Sequence, residues 1–115
     1  MKRTRYVLGV DLGGTKISVG AMTTDGAHQL AQRTEPTLAT EGADAVVGRI
    51  AAMIEATVAD VTRETGAART DILGVGIGSP GPLDRERGIV ITTPNLGWHN
   101  FPLRDRVTAA TGLRA

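Results

Sequence analysis

The sequence has 115 residues, 41% of them hydrophobic and 22% charged, with a net charge of +1. A chain of this size fits one domain with one core, and no apolar run approaches the ~20 residues that would span a bilayer, so a helical membrane role is excluded. The absence of cysteine excludes disulfides, thiol nucleophiles and thiolate metal sites.

The basic start "MKRTR" is followed by a short strand-like run broken by Asp11 and glycines. That is not the continuous apolar core of a secretion signal, and the cytoplasm is the expected compartment. Residues 5–10 carry Tyr6, Val7, Leu8 and Val10, and residues 16–22 alternate Ile17, Val19 and Ala21 with Ser18 and Gly20. This patterning predicts two strands of a hairpin. Thr24, Asp25 and Gly26 are turn chemistry, and residues 28–34 are the candidate third strand of a meander.

From residue 42 to 65, Ala43, Val46, Val47, Ile50, Ile54, Val58 and Val61 fall at the three-and-four spacing of one helical face, with Gly66 where a helix stop belongs. Residues 71–78 return to strand character, and alternating Gly74, Gly76 and Gly78 leave one face of that strand as bare backbone, which something must approach closely. "SPGPLD", residues 79–84, reads as a loop held rigid by two prolines. Residues 89–92 read as a short strand and "TPNLGWHNFPL" as a loop. Residues 103–111 read as a helix with Pro102 in its first turn and Gly112 at its end. The expected order is β-β-β-α-β-β-α, a mixed α/β layer fold.

Two glycine-rich signatures fail on context. Gly9 and Gly14 have Walker spacing, but Thr15 precedes Lys16 and a strand follows where a helix should begin. "GIGSPG" matches G-x-G-x-x-G, yet Pro80 and Pro82 deny the helix that a dinucleotide site requires. What remains is Asp11 at the end of a first strand, followed by Gly13, Gly14, Thr15 and Lys16 in a hairpin turn. Bare amides and the Thr15 hydroxyl suit a phosphate tail, and Asp11 beside them suits Mg²⁺, directly or through water. A hairpin whose glycines serve turn geometry alone fits the same residues.

The remaining polar residues point to no other chemistry. His28 and His99 are too far apart for a local metal clip. Arg85, Arg87, Arg104 and Arg106 are interleaved with Asp84, Glu86 and Asp105, a solvated mixed surface with no expected nucleic-acid partner. Trp98 and Phe101 read as packing anchors of the long loop rather than sugar platforms.

"GVDLGGTKISVGAMTTDG", "GVGIGSPGPLD" and "TPNLGWHNFPL" together, in this order, resemble the motifs of the ROK sugar kinases, closest to the bacterial glucokinase branch. The resemblance implies the N-terminal lobe of an actin-like, ribonuclease H-like ATPase fold over residues 1–115, with a C-terminal lobe absent from this chain. It implies that Asp11, Gly13, Gly14, Thr15 and Lys16 form the ATP phosphate turn with its Mg²⁺. It further implies that Pro80, Gly81 and Asn95 line a hexose site, and amide chemistry suits a polyol. The family's catalytic aspartate, in an Asn-Asp pair, and its zinc site are expected beyond Ala115. The parent is expected to be a dimeric glucose kinase and this fragment inactive. A ROK transcriptional regulator and a non-catalytic sugar- or nucleotide-binding lobe are the alternatives.

Overall fold

The computed structural model describes residues 4–93 and 96–115. Strands β1 (Tyr6–Leu12), β2 (Lys16–Thr23) and β3 (Gln29–Pro36) form an antiparallel meander, and helix α1 (Ala43–Thr65) leads to β4 (Ile72–Gly78). Then come β5 (Leu83–Asp84), β6 (Ile89–Thr93), β7 (Trp98–Phe101) and helix α2 (Leu103–Thr111). The larger sheet has the order β3-β2-β1-β4 and the smaller β5-β6-β7. The mixed α/β reading holds, with two more short strands than the sequence suggested.

Alternation decides which face of the larger sheet is covered. Tyr6, Leu8, Val10 and Leu12 of β1 and Ile17, Val19 and Ala21 of β2 are buried. They meet Val46, Val47, Ile50, Met53, Ile54, Val58 and Val61 of α1 in one core. The opposite face carries Val7, Gly9 and Asp11 of β1 opposite Met22, Gly20 and Ser18 of β2. Helix α1 stops at Gly66, whose φ of 75° and amide bond to Thr62 O (2.8 Å) form a left-handed cap. Helix α2 stops in the same way at Gly112. It packs on α1 through Leu103 and Val107, and Arg106 reaches Asp44 at 2.5 Å.

Three features differ from the sequence reading. Strands β5 (Leu83 opposite Val90) and β7 (Val90 opposite Phe101, Thr92 opposite His99) pair with β6 where the loops of residues 79–84 and 93–103 were expected. Trp98 turns inward at 4% exposure and packs on Phe101, ring centroids 4.6 Å apart. It is the anchor expected of it, placed on a strand. Pro102 sits one position earlier than expected, at the N-cap of α2. The bare backbone at Gly74 is approached by the chain itself. A Cβ there would stand 2.8 Å from Arg114 O, and Val75 N donates to that oxygen at 2.7 Å. Gly76 has nothing within 4 Å of such a Cβ and lies open.

Asp60 stands among the buried positions of α1 at 7% exposure. Arg33 of β3 grips both its oxygens (2.8 and 3.0 Å) and Arg63 adds a third bond at 2.5 Å. The Arg33 hydrogen bonds, followed by those of Arg63, hold its carboxyl at about 2, below the ordinary 3.8. A depressed carboxylate stabilises the fold above its unfolded pKa, and that contribution disappears as pH falls through the folded value.

Two outcomes follow for stability. Urea titration of Ile50→Ala, a fully buried α1 side chain, is expected to show a loss of ~2–5 kcal/mol, from lost transfer energy and a residual cavity. Thermal melts of the unsubstituted chain are expected to lose stability between about pH 4 and 2 through Asp60. Asp60→Asn is expected to lower the melting temperature at neutral pH and flatten that segment of the profile. An unchanged profile would show that the Arg33 pair does not hold α1 to β3.

Candidate functional site

Residues 7–11 of β1 run parallel to residues 74–78 of β4, with Asp11 beside Gly78. Parallel pairing puts the carboxyl ends of both strands at one edge of the sheet, about 4.8 Å apart. From there β1 turns away to β2 while β4 departs toward β5. In open α/β sheets, ligands sit at the crevice created where connections diverge in this way. Two of the three sequence motifs thus emerge side by side: the turn at residues 13–16 and the loop at residues 79–82.

In the turn, Gly13 N donates to Lys16 O at 3.0 Å and closes the hairpin. A Cβ on Gly13 would also stand 3.0 Å from that oxygen, so glycine is favoured here by tight space rather than by φ. Its amide is engaged, and Gly13 therefore contributes shape. Gly14 is half-buried, and Thr15 and Lys16 are exposed at the tip. Asp11 is exposed on the helix-free face. It lines a groove of about 300 Å³ with Gly9, Ser18, Gly20, Gln29 and Gln32.

Behind the turn stands Thr37, fully buried and absent from the sequence reading. Its amide donates to Thr15 O at 2.9 Å and its hydroxyl to Gly13 O at 2.7 Å. No local signal marks it, because its partners lie more than twenty residues upstream.

On the second side, Ser79 opens the loop and Oγ donates to Pro80 O at 3.2 Å. Pro80 is half-buried and Gly81 exposed. A cavity of about 400 Å³ lies beside them, between β4 and the small sheet, with Ser79, Asp84, Arg85 and Arg104 as its polar lining. Asp84 is bound by Arg87 (2.7 Å to the guanidinium, 3.1 Å to the amide), and the Arg87 hydrogen bond holds its carboxyl below the usual range. Arg104, read as a surface charge in the sequence, donates instead to Arg85 O (3.2 Å) and Glu86 O (2.8 Å) and fastens the β5–β6 turn to α2. Asn95 lies outside the described residues. Leu96 next to it is buried.

For Mg²⁺ the donor chemistry fits. Asp11 offers a hard carboxylate in the open, and no group of three His, Cys, Asp or Glu side chains clusters among the described residues. Mg²⁺ keeps several waters and binds through one or two carboxylates plus substrate phosphates, so a single carboxylate is an adequate protein share.

The ROK family profile matches residues 7–115. A glucokinase of Thermotoga maritima is 44% identical over 107 residues, 92% of this chain and 31% of that protein. The crystal structure of a ROK hexokinase from Thermus thermophilus matches with a TM-score of 0.71 at 37% identity, over 94% of this chain and 33% of that one. A ROK family glucokinase from Streptomyces griseus, solved with glucose and AMPPNP, matches with a TM-score of 0.73 at 33% identity, over 94% and 31%. The chain thus spans about a third of the length of these relatives, and the actin-like ATPase fold implied by the motifs is the one it shares with them.

The Arg104 clasp is open to a direct test. Gly88 has a φ of 68°, and a Cβ there would fall 2.5 Å from Arg104 Cβ and 2.6 Å from Nε. Gly88→Ala is therefore expected to dislodge the guanidinium and speed trypsin cleavage after Arg85 and Arg87 about tenfold. Gly97→Ala, with a φ of 70° but open space, carries only the backbone penalty of ~1 kcal/mol and should leave those cleavage rates unchanged. Equal rates in both variants would reject the clasp.

Proposed function

The chain belongs to the ROK family, and from that premise we propose that it is the N-terminal part of an ATP-dependent hexose kinase, with glucose the favoured sugar. The observation that carries the reading is the shared carboxyl edge of β1 and β4, with Asp11 beside Gly78. The turn at residues 13–16 and the loop at residues 79–82 leave that one edge, which supports a phosphate turn and a sugar loop serving two substrates bound together.

In this reading the sugar hydroxyl attacks the γ-phosphorus of ATP. The bond from phosphorus to the bridging oxygen breaks, ADP leaves with that electron pair, and the hydroxyl proton passes to an aspartate outside these residues. Gly14, Thr15 and Lys16 receive the phosphates on amides, a hydroxyl and an ammonium, while Gly13 gives the turn its shape. Bound Mg²⁺ supplies neutralisation of phosphate charge, and Asp11 is its protein-side holder, directly or through water. Pro80, Gly81 and Asn95 form the sugar side, where backbone and amide groups both donate and accept.

Lacking the proton acceptor, the 115 residues alone are a binding half without turnover. The kinase reading is preferred to a transcriptional regulator because relatives aligned along nearly the whole chain are glucokinases. No helix among the described residues is long and apolar enough to cross a membrane. We place the parent protein in the cytoplasm as a dimer, with no nucleic-acid partner and with the family's zinc site outside this chain.

Calorimetric titration with ATP tests the assignment of Asp11. The unsubstituted chain is expected to bind ATP more tightly with Mg²⁺ than without it. Asp11→Asn is expected to lose about tenfold in the Mg²⁺ experiment and nothing in its absence, the cost of one charge-assisted contact. Binding that is indifferent to both Mg²⁺ and Asp11 would remove the metal role, and failure of the unsubstituted chain to bind any nucleotide would remove the phosphate turn.

A further inference from the structure

A turn that binds phosphate must present N–H groups and withhold its carbonyl oxygens, because each oxygen facing an anion repels it. A free hairpin tip does not meet that condition, since its amides and carbonyls alternate and its tip moves. Here three carbonyls of residues 13–16 are taken up, two of them from behind. Gly13 O accepts from Thr37 Oγ1 at 2.7 Å, Thr15 O from Thr37 N at 2.9 Å, and Lys16 O from Gly13 N at 3.0 Å. One buried residue therefore disposes of two of these three oxygens.

Thr37 is itself fixed from its third polar group. Arg49, reaching out of α1, donates from Nη1 to Thr37 O at 2.6 Å and from Nη2 to Glu41 Oε1 at 2.5 Å. The next residue, Leu38, is held at φ 53°, ψ 53° with its side chain 48% exposed. A non-glycine residue in the left-handed region costs of order 1 kcal/mol and persists only where its surroundings fix it. Burial of Leu38 does not explain that conformation. The bonds on either side of it do: Thr37 O to Arg49, and Leu38 O accepting from Glu41 N at 3.0 Å.

We propose that Thr37 is a positioning residue for phosphate binding, orienting the turn at residues 13–16 through its amide and hydroxyl and locked in place by Arg49. The inference rests on the reading of that turn as a phosphate site. It makes the affinity of the turn depend on a side chain that touches no ligand.

Tripolyphosphate titrated into ¹⁵N-labelled chain tests it, with the amide shifts of Gly14, Thr15 and Lys16 as the readout. The unsubstituted chain is expected to show saturable shifts there. Thr37→Val removes the hydroxyl bond and leaves Gly13 O unpaired, and is expected to weaken tripolyphosphate about tenfold. Thr37→Ser, which restores the hydroxyl, and Leu38→Gly, which relieves the backbone without touching a bond, are expected to stay within about twofold of the unsubstituted chain. Arg49→Met, acting from the far side, is expected to give a smaller loss, about threefold, and decides the matter should Thr37→Val not fold. Unchanged affinity in a folded Thr37→Val, or in Arg49→Met where Thr37→Val is unfolded, overturns the positioning role and leaves the phosphate site standing. Absence of shifts at Gly14, Thr15 and Lys16 in the unsubstituted chain overturns the phosphate reading and the positioning role with it.

Discussion

The parallel pairing of β1 with β4 is the constraint on which the rest of the structure depends. A parallel neighbour cannot be reached by a hairpin, so the chain must cross over, and the 23 residues of α1 supply the crossing. The crossing helix must then bury its apolar stripe against the sheet it spans. That requirement sets the inward face of β1 and β2 and leaves Gly9, Asp11, Ser18 and Gly20 on the other. Slipping β1 by one residue against its neighbours would send Leu8 and Val10 to solvent and Asp11 into the core. The position of Asp11 beside Gly78 therefore follows from hydrophobic burial rather than from any polar contact of its own.

Two different means hold the two sides of the crevice. The side at residues 13–16 is a tight hairpin with two of its oxygens bonded from behind by Thr37, so its order comes from backbone geometry. The other side leaves β4 as a proline-bearing loop and runs into a small sheet of only two to five residues per strand. Such a sheet has too few ladder bonds to be rigid alone. Its position comes from Val90 and Trp98 buried in the common core, from Arg106 above the Phe101 ring at 5.4 Å, and from Arg104 on the carbonyls of the β5–β6 turn. Both arginines belong to α2, which in turn is fastened to α1 through Asp44. The two helices thus act as the frame that relates one side of the site to the other.

The parts of this arrangement that were legible in the sequence are those whose cause is local. The α1 stripe, its Gly66 stop, the Gly112 stop and the turn at Asp25 and Gly26 each depend on residues within a few positions, and all four stand where they were expected. The glycine turn and the proline loop were legible for the same reason. Strand β7 was not, because Gly97 and Pro102 punctuate four residues whose only evidence for a strand is their pairing with β6. Arg104 read as a solvated charge because its partners, the carbonyls of residues 85 and 86, lie in another element, and Asp60 drew no reading at all because Arg33 lies on β3. Thr37 is the extreme case. A buried threonine between exposed Pro36 and Leu38 has no periodicity, and its meaning exists only once the hairpin folds back onto it.

The electrostatic consequence concerns how an anion would be held here. With a net charge of +1 and acidic residues set among the basic ones, the chain generates little long-range field to draw in a polyphosphate, and screening at ~0.15 M salt confines what field there is to about 8 Å. Recognition must therefore come from dipoles fixed at contact distance. A fixed dipole is useful only if its positive end stays outward. In this hairpin that condition is served by Thr37 bonding Gly13 O and Thr15 O on the core side, not by added positive charge. Lys16 at the exposed tip adds a charge that any surface lysine could supply. The buried threonine two strands away adds the orientation, which a surface charge does not provide.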